Sequence, residues 1–232
     1  MQAMIVPIVP EEDWLRILRP CPAWEASRSS ILVIAPHPDD ETLATGGMIS
    51  AMRSDGQDVV VAAVTDGENA YKDAGSLGEV RAVEQRNALE VLGVSPAQTI
   101  RLKLPDSDVA THEQALVASL LSFATSRTHM IAPWPADFHP DHEACGRAAQ
   151  TVARQTGARL SFYFFWTWHR GTIDVLKGEN LRKFPLSAAA IRAKAEALHC
   201  HASQLHRDAG EPILPERLLA PARRPFEVYL DA

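Results

Sequence analysis

Residues 31–52 read ILVIAPHPDDETLATGGMISAM, and the order of residue types in this stretch decides the fold. ILVIA at 31–35 is an unbroken apolar, largely β-branched run, the pattern of a strand buried on both faces of a parallel sheet. It ends at Pro36, and 41–54 then reads as a helix, so a strand passes directly into a helix through a polar turn. Outward from this unit the alternation repeats. DVVVAAV at 58–64 is a second strand, GEVRAVEQRNALEVL at 78–92 a helix stopped by Gly93, and QTIRL at 98–102 a weaker strand. EQALVASLLSFA at 113–124 is a helix, HMIAP at 129–133 a strand, 141–155 a helix and RLSFYFFW at 159–166 an aromatic strand. A helix from Ala188 to His206 and the strand FEVYL at 226–230 close the chain.

Strand–helix alternation of this kind predicts an α/β fold: a Rossmann-like, doubly wound, mostly parallel sheet with helices on both faces. A single domain over 1–232 is expected, its core at about 30–205. EEDWLRIL at 11–18 is a short helix within an N-terminal extension, 1–29; a Pro-rich stretch at 211–225, within the C-terminal part 207–232, is expected to run extended over the surface. Such sheets bind ligands beyond the carboxyl ends of their strands, where strand order reverses, so the loops after the first and fourth strands are the place to look.

Composition narrows the function. The 232 residues carry 23 Lys plus Arg against 29 Asp plus Glu, a net charge of −6. That balance lacks the positive footprint needed to hold a nucleic-acid backbone or an anionic membrane. Cys21, Cys145 and Cys200 are odd in number, far apart and without C-x-x-C spacing, which speaks against a disulfide scaffold and for a reducing, cytoplasmic compartment. MQAMIVPIVP at the start has no basic leader and two prolines, a poor signal peptide, and no run of 18 apolar residues suggests a membrane span.

The two loops singled out by topology hold the most unusual segments of the chain: His37-Pro38-Asp39-Asp40-Glu41 and His139-Pro140-Asp141-His142-Glu143, both H-P-D-x-E. Together they bring three imidazoles and several carboxylates to one crevice. Neutral His and Asp suit zinc or a similar divalent ion, and a catalytic site of this type has three protein ligands and an open position. A carboxylate that is not a ligand can then serve as general base. Asp39 and Asp141 also have a plain alternative as helix caps, and Glu41 and Glu143 as first-turn charges favoured by the helix dipole. Spacing alone does not say whether Asp39 or Asp40 is the ligand.

At these residues the sequence resembles the PIG-L/LmbE family of metal-dependent N-acetylglucosaminyl deacetylases. Pro36 to Glu41, followed by Thr42-Leu43 and Gly46-Gly47, matches the first family motif, and His139 to His142 the second. Thr65-Asp66-Gly67-Glu68, Arg81 to Glu84 with Leu92-Gly93, and His201 to Gln204 match weaker features, so the resemblance covers about 30–205. It implies that His37, Asp40 and His142 bind the metal, zinc or alternatively ferrous iron. It also implies that Asp39 is the general base, that His139 stabilises the oxyanion and assists the leaving amine, and that Arg81 and Asp106 hold the sugar. Asp141 is then expected to orient a ligand imidazole from behind. One departure stands out: some members carry a tyrosine two residues before the second motif, where this chain has Asp137. Trp134, Phe138, Trp166 and Trp168 are candidates for a wall against a sugar ring, with core packing as the competing assignment. For His199 and Cys200 the plain structural role is favoured, because positions two apart on a helix face different sides.

The expected reaction is hydrolysis of an N-acyl group, most simply an N-acetyl on an amino sugar or its conjugate. The partner is a small-molecule glycoconjugate, with no nucleic acid or membrane involved and homo-oligomers compatible. Metal-dependent phosphoester hydrolysis and a non-catalytic sugar- or nucleotide-binding module are the alternatives. The first calls for more ligands than are visible, and the second lacks G-x-G-x-x-G in the first strand–helix loop.

Overall fold

The computed structural model describes residues 5–26, 30–71, 75–208 and 210–232. Its strands are β1 (Ser30–Ala35), β2 (Val59–Ala63), β3 (Thr99–Arg101), β4 (Thr128–Pro133), β5 (Arg159–Tyr163), β6 (Leu181–Pro185) and β7 (Phe226–Asp231). They form one sheet in the order β3-β2-β1-β4-β5-β7-β6. The pairs from β3 through β5 are parallel, and β7 runs antiparallel to both β5 and β6. β1 lies between β2 and β4, with Ile31 opposite both Val59 and His129. The chain therefore leaves β1 toward one edge and later crosses to the other side of it, so the loops after β1 and β4 diverge and open a crevice between them.

The alternating strand period divides β1 between two cores. Leu32 and Ile34 join Leu116 and Leu120 of α4 (Glu113–Leu121) and Cys145, Ala148 and Val152 of α5 (Pro140–Thr156) on one face. Ile31, Val33 and Ala35 join Met48 and Ile49 of α2 (Asp40–Ser54), Leu89 of α3 (Leu77–Val91) and Ala197 of α7 (Ala188–His199) on the other. The doubly wound α/β architecture is the one read from the sequence.

Four features depart from that reading. The N-terminal helix α1 (Glu11–Leu18) is built into the first core: Trp14 is buried and donates from its indole to the Trp168 carbonyl at 3.1 Å. The antiparallel strand β6, LRKFP, was not predicted, because its polar sequence carries no strand period; pairing with β7 holds it. The stretch 211–225 is not an extended surface strap. It winds through two 3-10 turns, Glu216–Leu218 and Pro221–Arg223, and buries Leu214, Leu219 and Ala222 against Leu43, Phe165 and Leu198. Finally, the helix expected from Ala188 to His206 breaks after His199 and resumes as α8 (Ala202–Leu205). The break turns His201 and Gln204 inward toward the start of α2, and their hydrogen bonds there compensate for it. No helix among the described residues is long and apolar enough to cross a membrane.

Candidate active site

Both H-P-D segments lie where the fold predicts, at the carboxyl ends of β1 and β4 and the starts of α2 and α5. Pro140 occupies the first turn of α5, as expected for a residue without an N–H, and His139 is the cap: its Nδ1 accepts the Asp141 N–H at 3.3 Å. Asp39 precedes α2 but makes no capping hydrogen bond, so the capping alternative for its carboxyl fails. Its backbone stands at φ 157°, while Ser107 and Phe138 have φ of 67° and 58°. These non-glycine conformations, costing roughly 1–3 kcal/mol each, adjoin Asp40, Asp106 and His139, so backbone strain gathers around one site.

His37, Asp40 and His142 meet there. Asp40 Oδ2 is 3.1 Å from His37 Nδ1 and 3.2 Å from His142 Nε2. Two donors each about 2.1 Å from a tetrahedral ion would be ~3.4 Å apart, so the trio is spaced for a single cation. The other imidazole nitrogens are each held by a carboxylate. His37 Nε2 faces Asp141 Oδ2 at 3.1 Å, and His142 Nδ1 faces Asp137 Oδ2 at 2.9 Å. Each carboxylate draws the ring proton to its own side and leaves the opposite lone pair directed at Asp40. His142 Nε2 is buried and has no hydrogen-bond partner, the state of a ligand nitrogen awaiting a metal. A second trio, His37, His139 and Asp141, is also close enough to share an ion. Its atoms are already engaged: Asp141 accepts the N–H groups of Ser107 and Val109 at 2.9 and 3.1 Å, and His139 Nδ1 is the helix cap.

The electrostatics point the same way. Burial works against a charge on His142, yet Asp40 and Asp137 push its pKa up to about 9. Burial likewise opposes charge on His37, which is raised well above the usual imidazole range by hydrogen bonds to Asp106, Asp141 and Asp40. Asp40 is buried too, and His142 and His37 nevertheless hold it far below the usual carboxylate range. Protons thus take the place of a positive charge that the carboxylates demand. Asp39 behaves differently: burial raises its carboxyl to about 8, Asp40 adds to this, and Arg81 and His37 oppose it. Burial and the neighbouring His142 and His37 lower His139 to about 3, so its ring is neutral. With Nδ1 accepting from the backbone, that neutral ring carries its proton on Nε2.

The remaining predicted residues lie around the same cavity, which encloses about 420 Å³. Arg81 is buried 3.6 Å from Asp39 Oδ2, and it donates to the Gly67 carbonyl and to Gln204 Oε1 at 2.8 and 2.9 Å. Gly67 explains the T-x-G-E match: a Cβ there would stand 2.1 Å from the Arg81 guanidinium, and its φ of 66° suits glycine. Asp106 accepts the Asn69 N–H at 2.8 Å and lies 3.4 Å from His37 Nε2, which holds its pKa to about 2 against burial. Of the aromatic candidates, only Trp166 lines the cavity. Trp166 stacks on His139 with ring centroids 5.6 Å apart, whereas Trp134 and Trp168 pack into the core. Glu41 is fully buried between Gln85 and Thr42, not a solvated first-turn charge.

Two contributors were missed. Asp137, noted only as a departure, anchors His142 and accepts the N–H groups of Phe165, Trp166 and Thr167. Its signal was an Asp five residues before a candidate ligand His. Gln204 donates to the Pro38 carbonyl while bracing Arg81, and His201 faces the Thr42 hydroxyl at 3.2 Å. The H-x-S-Q segment thus clamps the turn that carries Asp39 and Asp40.

The chain is similar to several known deacetylases. A probable N-acetyl-alpha-D-glucosaminyl L-malate deacetylase 2 from Bacillus cereus is 30% identical over 51% of this chain and 58% of its own length, so the chain spans little more than half of that relative. A 1D-myo-inositol 2-acetamido-2-deoxy-alpha-D-glucopyranoside deacetylase from Rhodococcus erythropolis is 29% identical over 78% of this chain and 82% of its own. The solved N,N'-diacetylchitobiose deacetylase from Pyrococcus horikoshii shares the fold, with a TM-score of 0.61 and 20% identity over 90% of this chain and 83% of that one. The family model described as PIG-L, GlcNAc-PI de-N-acetylase, matches residues 32–153, from β1 through both H-P-D segments and most of α5. With more than half of its length under that match and both motifs converging on one site, the chain belongs to the PIG-L family.

Proposed function

We propose that this protein hydrolyses the N-acetyl group of an amino sugar or amino-sugar conjugate, using one divalent cation held by His37, Asp40 and His142. The observation that carries the proposal is the buried, unpartnered His142 Nε2, with Asp40 and His37 Nδ1 beside it and a carboxylate behind each imidazole. Zinc suits two imidazoles and a carboxylate, and ferrous iron is the alternative. When bound, such an ion polarises the amide carbonyl and lowers the pKa of water to ~7.

The protein's own groups supply the rest. Asp39 is adjacent to the ligand set without belonging to it, and it accepts the proton of the attacking water. Burial makes its carboxylate far more basic than an ordinary one, and Arg81 at 3.6 Å, together with a cation bound alongside, would draw its pKa back toward neutral pH, where it serves as a base. His139, with its proton on Nε2, donates a hydrogen bond to the carbonyl oxygen as negative charge develops, and Asp39 hands the proton it took from water to the leaving amine. Trp166 holds the His139 ring in plane by stacking. Asp141 and Asp137 orient His37 and His142. Arg81 and Asp106, which line the same cavity, are assigned to the sugar hydroxyls. The described cysteines are free, in keeping with a reducing, cytoplasmic setting.

The test is an amine-release screen over N-acetylated sugars and their conjugates, run on protein stripped of metal and then restored with zinc or ferrous iron. Release that vanishes on stripping and returns on restoration supports the proposal. Equal release from stripped protein, or none from any acyl-sugar after restoration, overturns it.

A further inference from the structure

The outer part of the cavity carries a charge that the reaction does not use. Its deep end is formed by buried Asp39, Asp40, Asp106 and Arg81, and its mouth by Arg170, Arg207, Arg217 and Glu211. Most of these charges are matched. Arg81 faces Asp39, the Asp40 and Asp106 carboxylates face imidazoles, and Arg217 pairs through both terminal nitrogens with Glu211. Two guanidinium groups have no carboxylate within 4.0 Å among the described residues: Arg170, which feels Asp137 only from farther off, and Arg207.

Both are held in place by rings. The Arg170 guanidinium lies 4.0 Å from the centroid of Trp166, the same ring that stacks on His139, and its Nη1 donates to the Phe138 carbonyl. The Arg207 guanidinium lies 3.9 Å from the centroid of Tyr71 and makes no hydrogen bond within the described residues. A guanidinium centred over an aromatic face makes its contact through its carbon and leaves N–H groups available at its edge, and that planar fork fits the paired oxygens of a carboxylate or phosphate. The ring also removes much of the rotamer freedom that an ordinary surface arginine would lose on binding.

We propose that Arg170 and Arg207 form a subsite for an anionic group, a carboxylate or a phosphate, carried by the substrate on the side away from the scissile amide. The placement of that group relative to the amide rests on the deacetylase proposal; the existence of the anion subsite does not. It narrows the substrate to N-acetylglucosaminides with a negatively charged aglycone and disfavours neutral ones.

The test compares three probes: an N-acetylglucosaminide of a hydroxy acid, N-acetylglucosamine 1-phosphate and the neutral methyl N-acetylglucosaminide. Amine release is measured with zinc-loaded wild-type protein, and binding is measured by calorimetry with zinc-loaded Asp39→Asn. At low salt one or both charged probes should exceed the neutral one about tenfold in binding and in kcat/KM, mainly through KM, and the margin should shrink as salt screens the contact. Which charged probe wins distinguishes carboxylate from phosphate. Arg207→Gln, which breaks no hydrogen bond among the described residues, should bring the charged-to-neutral ratio close to one, as should Arg170→Lys to a lesser degree. Equal binding of all three probes, or an Arg207→Gln protein that keeps the wild-type ratio, overturns the subsite. If the charge preference in binding holds while no probe releases amine, the subsite stands and the deacetylase proposal falls.

Discussion

Asp137→Asn is the most informative single perturbation. Asp137 is fully buried, and every group it touches is a donor. Oδ1 accepts the Thr167 N–H at 2.9 Å and the Thr167 hydroxyl at 2.6 Å, while Oδ2 accepts the Trp166 N–H at 3.1 Å and faces His142 Nδ1 at 2.9 Å. Asparagine keeps the shape but turns one oxygen into an NH2 group, so either orientation sets a donor against buried donors. With the amide nitrogen toward His142, the Trp166 N–H loses its acceptor and the Phe165 N–H keeps only Oδ1; at about 1–3 kcal/mol for an unsatisfied group the cost is ~2 kcal/mol. For a chain of this size that lowers Tm by roughly 4–8 °C. In that orientation His142 must accept at Nδ1 and carry its proton on Nε2, where it can no longer ligate, and metal affinity falls by about 10–100-fold. The assay pairs thermal unfolding of metal-free protein, which keeps ligand linkage out of the comparison, with a competitive chelator titration. An Asp137→Asn protein with wild-type Tm and wild-type metal affinity would refute the orienting role.

Other outcomes follow from the same geometry. Asp39→Asn should reduce amine release by about 10²–10⁴-fold while leaving metal content near one ion per chain, because Asp39 is outside the ligand set; equal loss of both in metal analysis would move it into the set. Gly146→Ala should destabilise by roughly 1–3 kcal/mol in urea, since its Cβ would stand 2.6 Å from the Pro133 carbonyl oxygen and 2.8 Å from Pro135 N, backbone atoms that cannot rotate away; an unchanged midpoint would contradict this. Burial holds His129 down at about 4 and His169 at about 3, against an ordinary 6.5. The unfolded chain therefore binds more protons below pH 6.5, so stability is full above that pH and falls through the window from 6.5 toward 4 and 3 by about 1.4 kcal/mol per pH unit for each ring. Asp39, raised to about 8, works the other way in this window, so urea midpoints of the wild type and of His169→Phe are compared from pH 7 to pH 5; equal slopes in the two proteins would rule the histidine contribution out.

The inner parallel strands β1, β2 and β4 were legible because they are buried on both faces and announce themselves as apolar runs, whereas the half-buried edge strand β3 gave a weaker signal. The antiparallel edge was not: LRKFP owes its strand state to β7, a partner far along the chain, and no local period encodes that. The 211–225 stretch looked like surface because prolines dominate it, yet its leucines at 214, 218 and 219 reach inward between them. Among the site residues, the two H-P-D segments were readable since topology sends both to one crevice. Which of two adjacent aspartates faces the imidazoles could not be read from spacing, because that depends on the turn at Asp39, whose φ of 157° no sequence pattern predicts. The roles of Asp137 and of Gln204, the last residue of the H-x-S-Q match, escaped for a related reason. Their roles are fixed by hydrogen bonds to backbone groups of Phe165, Trp166 and Pro38, and backbone partners leave no trace in residue identity.

Anomalous diffraction at the zinc edge from crystals grown with zinc tests the central claim most directly. One peak per chain is expected, about 2.0–2.2 Å from His37 Nδ1, Asp40 Oδ2 and His142 Nε2. A peak against His139 and Asp141 instead, a pair of peaks, or none at the trio would contradict it.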